Sequence, residues 1–326
     1  MNNKLKPSDL AEFIDNHDVV YIRHIMDSSV EAYGELISNH IAAIHYAELK
    51  QGVDKTVLQN YLNLENYEDS KHCKNAIQAT KRLIEYADAG AVVVADYTDS
   101  NYTGVATKNP KTISLGILPE KTPIKIIPYA PPDDFTYKQV ELSYPIDLGQ
   151  ADFASILAIH PRGSTVRRWG EGEKIVRFIY KRELGLLSTT SDIDFKVLFP
   201  AQQEVLCSEY IRIKGPEELR LKYLLLPVGR GMKSIDIFGS SGNKFILGQV
   251  SFTEAPAVIR EKINSLNDAV TQIKSKRDVV KMYFGPKTAK NYVLRFAPDL
   301  IFVSLKDVFE EMKGTEILDD MLGIKF

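Results

Sequence analysis

The stretch Lys233-Ser-Ile-Asp-Ile-Phe-Gly-Ser-Ser-Gly-Asn-Lys-Phe-Ile-Leu-Gly-Gln-Val-Ser-Phe-Thr253 decides how this chain reads. Two apolar, β-branched runs flank a Ser-Gly turn, the pattern of a tight β-hairpin. With Ser241-Gly242 as the two-residue loop, Ser240 faces Asn243, Phe238 faces Phe245 and Asp236 faces Leu247. Gln249 then shares a face with Asp236, one diagonal step away. An acid and an amide therefore project from neighbouring strands where the alternation asks for apolar side chains. Burying them without partners is costly. Either that face is solvated, as in many antiparallel hairpins, or the two side chains share a ligand.

The flanking segments place the hairpin in a larger order. Upstream, 200–212 reads as a helix, with Val205, Leu206, Tyr210 and Ile211 at helical spacing and Pro200 at its start. Downstream, Thr253 is placed to cap a helix over 254–276, whose stripe is Val258, Ile259, Ile263, Leu266, Val270 and Ile273. A strand over 279–285, a polar stretch over 285–291, a strand over 299–304 and a helix over 306–312 follow.

This succession resembles the restriction-endonuclease-like PD-(D/E)XK superfamily, in particular its Mrr-type branch. The resemblance covers roughly the last third of the chain. It implies a helix acid, a strand Asp and a following (Glu/Gln)-x-Lys gathered around a divalent metal. Asp236 matches the strand Asp, Gln249 the Gln of the Mrr branch, and Glu209, or else Glu204, the helix acid. The motif lysine is absent: two residues after Gln249 stands Ser251. A lysine there would activate the attacking water and stabilise charge on the phosphate. Lys233, Lys244, Lys262 and Lys281 are near in sequence, and Lys281 and Lys262 are the preferred substitutes. The other possibility is a fold that has kept DNA binding and lost cleavage.

Composition frames this reading. The 326 residues suggest two or three domains. Hydrophobic and charged contents of 44% and 26% are those of a soluble globular protein. No stretch approaches the ~20 apolar residues of a membrane helix, and the N-terminus lacks a signal-peptide core. Cys73 and Cys207 stand far apart, which argues against a disulfide framework and a zinc knuckle and for a cytoplasmic location. A net charge of −2 requires any nucleic-acid contact to come from a local patch.

Ahead of the hairpin, residues 1–37 read as a helical lead-in, with Leu10, Phe13 and Ile14 in one apolar group and Val19, Val20, Ile22, Ile25 and Met26 in a second. Residues 38–150 read as a small β-rich domain. Its expected elements are strands over 41–46, 90–97, 102–107, 113–118 and 124–128, and a helix over 71–87. The pattern from Ile41 to Thr107 is similar to PUA-like and EVE-like barrels, in which an aromatic pocket can hold a base taken out of the duplex. Tyr46, Tyr97 and Tyr102 are the candidates on that likeness. Tyrosines at strand ends also simply pack a rim, and 16 of them in one chain are mostly structural.

Residues 151–198 read as a connector with a helix over 151–159. Between His160 and Arg182 seven basic residues meet only two acids. Arg162, Arg167, Arg168 and Arg177 would fork onto phosphates and Trp169 would stack on a base. A solvated basic face with Trp169 as a packing anchor is the plainer reading. Other motifs fail: Gly239-Ser-Ser-Gly242 lacks the spacing of a nucleophile elbow or a phosphate loop. His40 and His45, five apart, do not share a face as zinc ligands. The apolar tail 317–324 would pack on its own core or on a partner subunit.

The fold class expected is α/β, α+β overall, with a restriction-endonuclease-like mixed sheet flanked by helices over 199–326. A β-rich, barrel-like domain precedes it. The function expected is a metal-dependent DNA endonuclease of restriction or anti-phage defence type. Asp236, Glu209 and Gln249 would hold Mg²⁺ or Mn²⁺. Double-stranded DNA is the expected partner, with a homodimer or a defence complex as a possible assembly. The alternatives are a catalytically silent DNA-binding module of the same fold, and an interaction subunit unrelated to nucleic acid.

Overall fold

The computed structural model of the chain describes residues 5–24, 30–45, 49–68, 70–97, 112–128, 136–149, 152, 156, 161, 165–170, 172–187, 193–225, 235–273 and 276–324. The chain divides into two compact units, Met1–Ser188 and Thr189–Phe326. Among the described residues no helix is long and apolar enough to cross a membrane. The fold is mixed α/β, with several sheets flanked by helices.

The first unit contains α1 (Pro7–Asn16), β1 (Val19–Arg23), α2 (Val30–Ser38), β2 (Ile41–Ile44), α3 (Ser70–Ala89), β3 (Ala91–Asp96), β4 (Ile113–Leu118), β5 (Lys125–Pro128), β6 (Thr136–Glu141), β7 (Ser143–Asp147), β8 (Val166–Arg168) and α4 (Glu173–Glu183). One sheet has the order β7-β4-β3-β1-β8 and a second the order β2-β6-β5. The pair β1 and β3 is parallel, and every residue of Val19–Ile22 and Ala91–Asp96 is buried. Continuous apolar runs are what a strand covered on both faces needs.

Two expectations are revised here. The segment read as a helical lead-in carries β1, a central strand, because its second apolar group is contiguous rather than spaced at 3.6 residues. The stretch read as a connector supplies β8, an edge strand antiparallel to β1, and so belongs to this unit's sheet. The expected strand over 102–107 and most of the expected helix over 151–159 lie outside the described residues.

The second unit contains α5 (Pro200–Ile213), β9 (Tyr223–Leu224), β10 (Ile237–Ser241), β11 (Lys244–Val250), α6 (Pro256–Gln272), β12 (Asp278–Gly285), α7 (Lys290–Phe296), β13 (Ile301–Ser304), α8 (Leu305–Met312) and α9 (Glu316–Leu322). Its sheet has the order β13-β12-β11-β10-β9. The strands β9, β10 and β11 form an antiparallel meander, and β11, β12 and β13 run parallel. Ile259, Ile263, Leu266 and Ala269 of α6 share a buried core with Leu247 and Tyr283. The apolar tail settles on its own unit. Leu318 and Leu322 of α9 are buried, and Gln202 Nε2 of α5 donates to Met321 O at 3.3 Å.

The hairpin forms with a register two residues from the expected one. Ser241 pairs with Lys244, so the loop is Gly242-Asn243. Gly242 has φ 55° and takes the first central position, where glycine suits a type II′ turn. Phe238 therefore faces Leu247 and Ile237 faces Gly248. Helix α6 begins at Pro256 with Ala255 at its N-cap, so Thr253 does not cap it. Instead Thr253 Oγ1 accepts from the Ala255 N–H at 3.1 Å, in the preceding turn.

A Cβ on Gly242 would meet nothing within 4 Å, so only backbone conformation resists substitution there. Gly242→Ala is expected to destabilise the second unit by about 1 kcal/mol. A urea titration followed by circular dichroism tests this, and an unchanged midpoint would contradict the turn assignment.

Candidate functional site

Asp236 sits in a bend at the start of β10. Its backbone N–H donates to Gly248 O at 3.0 Å, the residue that Ile237 also faces. Two residues thus oppose one, as in a β-bulge, a device that re-aims a side chain at a strand end. The Asp236 carboxylate turns onto β11. Its Oδ2 accepts from the Gln249 side-chain amide and from the Val250 backbone N–H at 2.7 Å. The two side chains read as sharing a face therefore bond to each other directly.

The surroundings are dry. Gln249 and Ser251 are buried. Burial pushes the Asp236 carboxyl above the usual carboxylate range, although the Val250 N–H and the Lys262 ammonium both pull the other way. Lys262, on α6, reaches back to Val250 O at 3.4 Å and makes no salt bridge among the described residues. Tyr283 lies beside Gln249 in the β11–β12 register. Its Oη is buried without a well-formed hydrogen bond, although Ser251 is its polar neighbour. Burial raises that phenol, and the Asp236 charge adds to the rise.

Of the two helix acids, Glu204 is the one whose charge reaches the Cys207 thiol together with that of Asp236. The thiol of Cys207 is held well above its ordinary range by burial first, then by the charges of Asp236 and Glu204. Both carboxylates thus bear electrostatically on one buried sulfur. Glu209 is five positions from Glu204, on another side of α5, and is tied to Arg212 one turn on. The sequence held a signal for this: Glu204 stands three and four residues before Cys207 and Ser208, both on the buried face.

Of the two candidate lysines, Lys262 is the one without an ion pair among the described residues. Lys281 donates to Asn267 Oδ1 at 2.8 Å and pairs with Asp299 Oδ2 at 2.6 Å. That bond holds Asp299 below the usual carboxylate range. In the strand register Lys281 faces Leu247, two residues back from Gln249.

Among the described residues, no three His, Cys, Asp or Glu side chains come together to enclose a metal. Asp236 and Glu204, whose charges both bear on the Cys207 thiol, would with the oxygen of Gln249 be a sparse set of oxygen donors. Such a set suits a hard cation that keeps several waters and is completed by a phosphate. The buried Tyr283 hydroxyl, loosely placed beside Ser251, and the desolvated Asp236 carboxyl fit such a group.

The basic stretch of the first unit is mostly neutralised. Arg168 pairs with Asp18 at 2.9 Å and Lys181 with Asp15 at 2.8 Å. Arg182 holds Asp152 at 2.5 Å, while Arg177 is tied to Glu173 and to His17 O. Trp169 is buried edge-on to Tyr21 at 5.5 Å, and a Cβ on Gly172 would strike its ring, so it has no face for a base. Arg167 and Arg168 are exposed on β8.

Tyr97 is likewise buried. Its hydroxyl donates to Ile41 O at 2.9 Å, and one ring face stacks on His24 at 4.3 Å. It is a packing residue by geometry. Tyr46, Tyr102 and Arg162 lie outside the described residues.

No family model matches the chain, and no curated protein matches it. Among solved structures the chain is similar to one described as "MspJI Restriction Endonuclease in Complex with 27-mer Oligonucleotide". The two are 12% identical, the alignment covers 94% of this chain and 79% of that one, and the TM-score is 0.26. A likeness at that score carries no argument.

The Asp236 environment has a pH signature. A carboxyl raised in the folded state contributes stability that is complete below the unfolded value and is lost as pH rises through the folded one. Asp236→Asn does not titrate. Its stability relative to the parent should therefore climb as pH rises from 4 to 7. Parallel denaturation curves at each pH test this, and a constant difference would refute the assignment.

Proposed function

We propose that the second unit is a restriction-endonuclease-type core that hydrolyses DNA phosphodiester bonds. The observation that carries the reading is the Asp236 carboxylate, fixed by the Gln249 amide and the Val250 N–H, with the Lys262 ammonium beside it. The helix, antiparallel meander, helix and parallel strand that present it follow the order read as restriction-endonuclease-like.

In this reading Asp236, Glu204 and the Gln249 oxygen would hold Mg²⁺ or Mn²⁺. The bound ion would polarise the phosphoryl oxygen and acidify water. The protein's own groups orient and compensate. The two N–H donors lock the Asp236 rotamer, so its Oδ1 points one way. Lys262 supplies, from the following helix, the positive charge that Ser251 cannot provide at the motif position. The ammonium stabilises charge that develops on the phosphate. Tyr283 offers a buried O–H to a phosphate oxygen or a water. A role in defence against foreign DNA, as a dimer that cuts both strands, is part of the proposal through the family likeness.

The test is nicking of supercoiled plasmid in Mg²⁺ and in Mn²⁺. Asp236→Ala should abolish nicking, and Lys262→Gln should slow it by about 10²–10³-fold. Lys281→Gln should leave the rate unchanged. If no divalent metal supports cleavage while duplex DNA is still shifted, the silent binding module replaces this reading.

Duplex binding by the first unit is a separate part of the proposal, and rests on the exposed Arg167 and Arg168 of β8. Replacing both by Glu should flatten the dependence of log K on log salt by about 2, since each phosphate contact contributes roughly 0.9. An unchanged slope removes β8 from the interface.

A further inference from the structure

A groove of about 470 Å³ opens at the carboxyl edge of the second unit's sheet. Phe252, Lys287 and Lys306, which follow the ends of β11, β12 and β13, line it. Asp236 stands at the start of antiparallel β10, so it lies on the same edge, one strand along. Crevices outside the carboxyl ends of parallel strands are the usual place for ligands in such sheets.

The lining has two chemistries. One wall is aromatic: Phe195 and Phe252 lie 5.3 Å apart, and Phe252 is 39% exposed. The other is cationic: Lys196, Lys287 and Lys306 are exposed and form no salt bridge among the described residues. The rim also carries three acids, each with a partner, although a neutral donor leaves a carboxylate its charge. Glu310 is tied to Lys313 at 2.9 Å, Glu254 accepts from the Thr288 hydroxyl at 2.9 Å, and Asp194 accepts from the Lys196 N–H at 2.8 Å. A flat apolar face beside unpaired point charges matches a nucleobase with its phosphate. An acidic peptide would use the lysines and leave the aromatic wall bare. A base inside a duplex has no free face, so the ligand must carry an unpaired one.

We propose that this groove binds one unpaired nucleotide of a DNA strand, its base on Phe252 and its phosphates on Lys287 and Lys306. The placement of that nucleotide beside a scissile phosphate rests on the function proposed above; the binding itself does not. The volume lies within the range of small-ligand sites.

The experiment is fluorescence anisotropy of the full chain with a labelled single-stranded oligothymidylate and with a fully paired duplex of equal length. Phe252→Ala should weaken single-strand binding at least about fivefold, since a stacked base is worth roughly 1–3 kcal/mol. Lys287→Glu with Lys306→Glu should flatten the salt slope by about 1.4, at roughly 0.7 per single-strand phosphate contact. Neither change should alter duplex affinity as much, and unchanged melting curves control for folding. Absence of cleavage by the parent chain, with these binding effects preserved, would sink the nuclease reading and keep the groove. The proposal is overturned if the parent does not bind the single strand or if the groove variants bind it like the parent. Displacement of the oligonucleotide by polyglutamate equally well from the parent and from Phe252→Ala would also overturn it.

Discussion

A single carboxylate organises the second unit. Asp236 is partly withdrawn from water, and its Oδ2 is held by one side-chain amide and one backbone N–H. Leaving such a group unmatched would cost about 1–3 kcal/mol or more. The chain meets the requirement with a bulge that turns Asp236 onto β11 and with an ammonium on α6 close enough to bias its titration. Apolar residues would pack this strand end more cheaply. An acid, an amide and a buried phenol stand together there at a cost in packing, and the chemistry proposed for them would give that cost a reason.

Much of the second unit was legible because its elements carry strong local signals. The α6 stripe and the apolar runs of β11, β12 and β13 appear where periodicity places them. The misreadings have specific causes. A turn written Ser-Ser-Gly-Asn admits two registers, and the positive φ of Gly242 chose between them. The sequence put Glu209 ahead of Glu204 because spacing along α5 does not reveal which face meets the hairpin, and the buried Cys207 points to Glu204 only once the fold is known. The short edge strand β9 gave no pattern at two residues.

In the first unit, a charge count overstates the available positive charge for a related reason. A run of arginines and lysines looks like a phosphate track, yet four of its members are matched by acids from other segments: Asp15, Asp18, Asp152 and, within the run, Glu173. A local sum cannot see partners that the fold brings in from far along the chain. The parallel pair β1 and β3 ends instead in a closed polar cluster. Tyr21 donates to Asp96, while the His24 ring lies between Asp96 O at 3.0 Å and the Ala43 N–H at 2.8 Å. Burial drives that imidazole down to about 4, so it is neutral and locked, a strut of the core.

Trp169 is the chain's single indole, and it sits in the interior of Met1–Ser188 against Tyr21. Light absorbed selectively at the red edge of the protein spectrum therefore interrogates one half of the molecule. Denaturation watched by that emission and by far-ultraviolet ellipticity would separate into two transitions if the halves melt independently, without any label being attached.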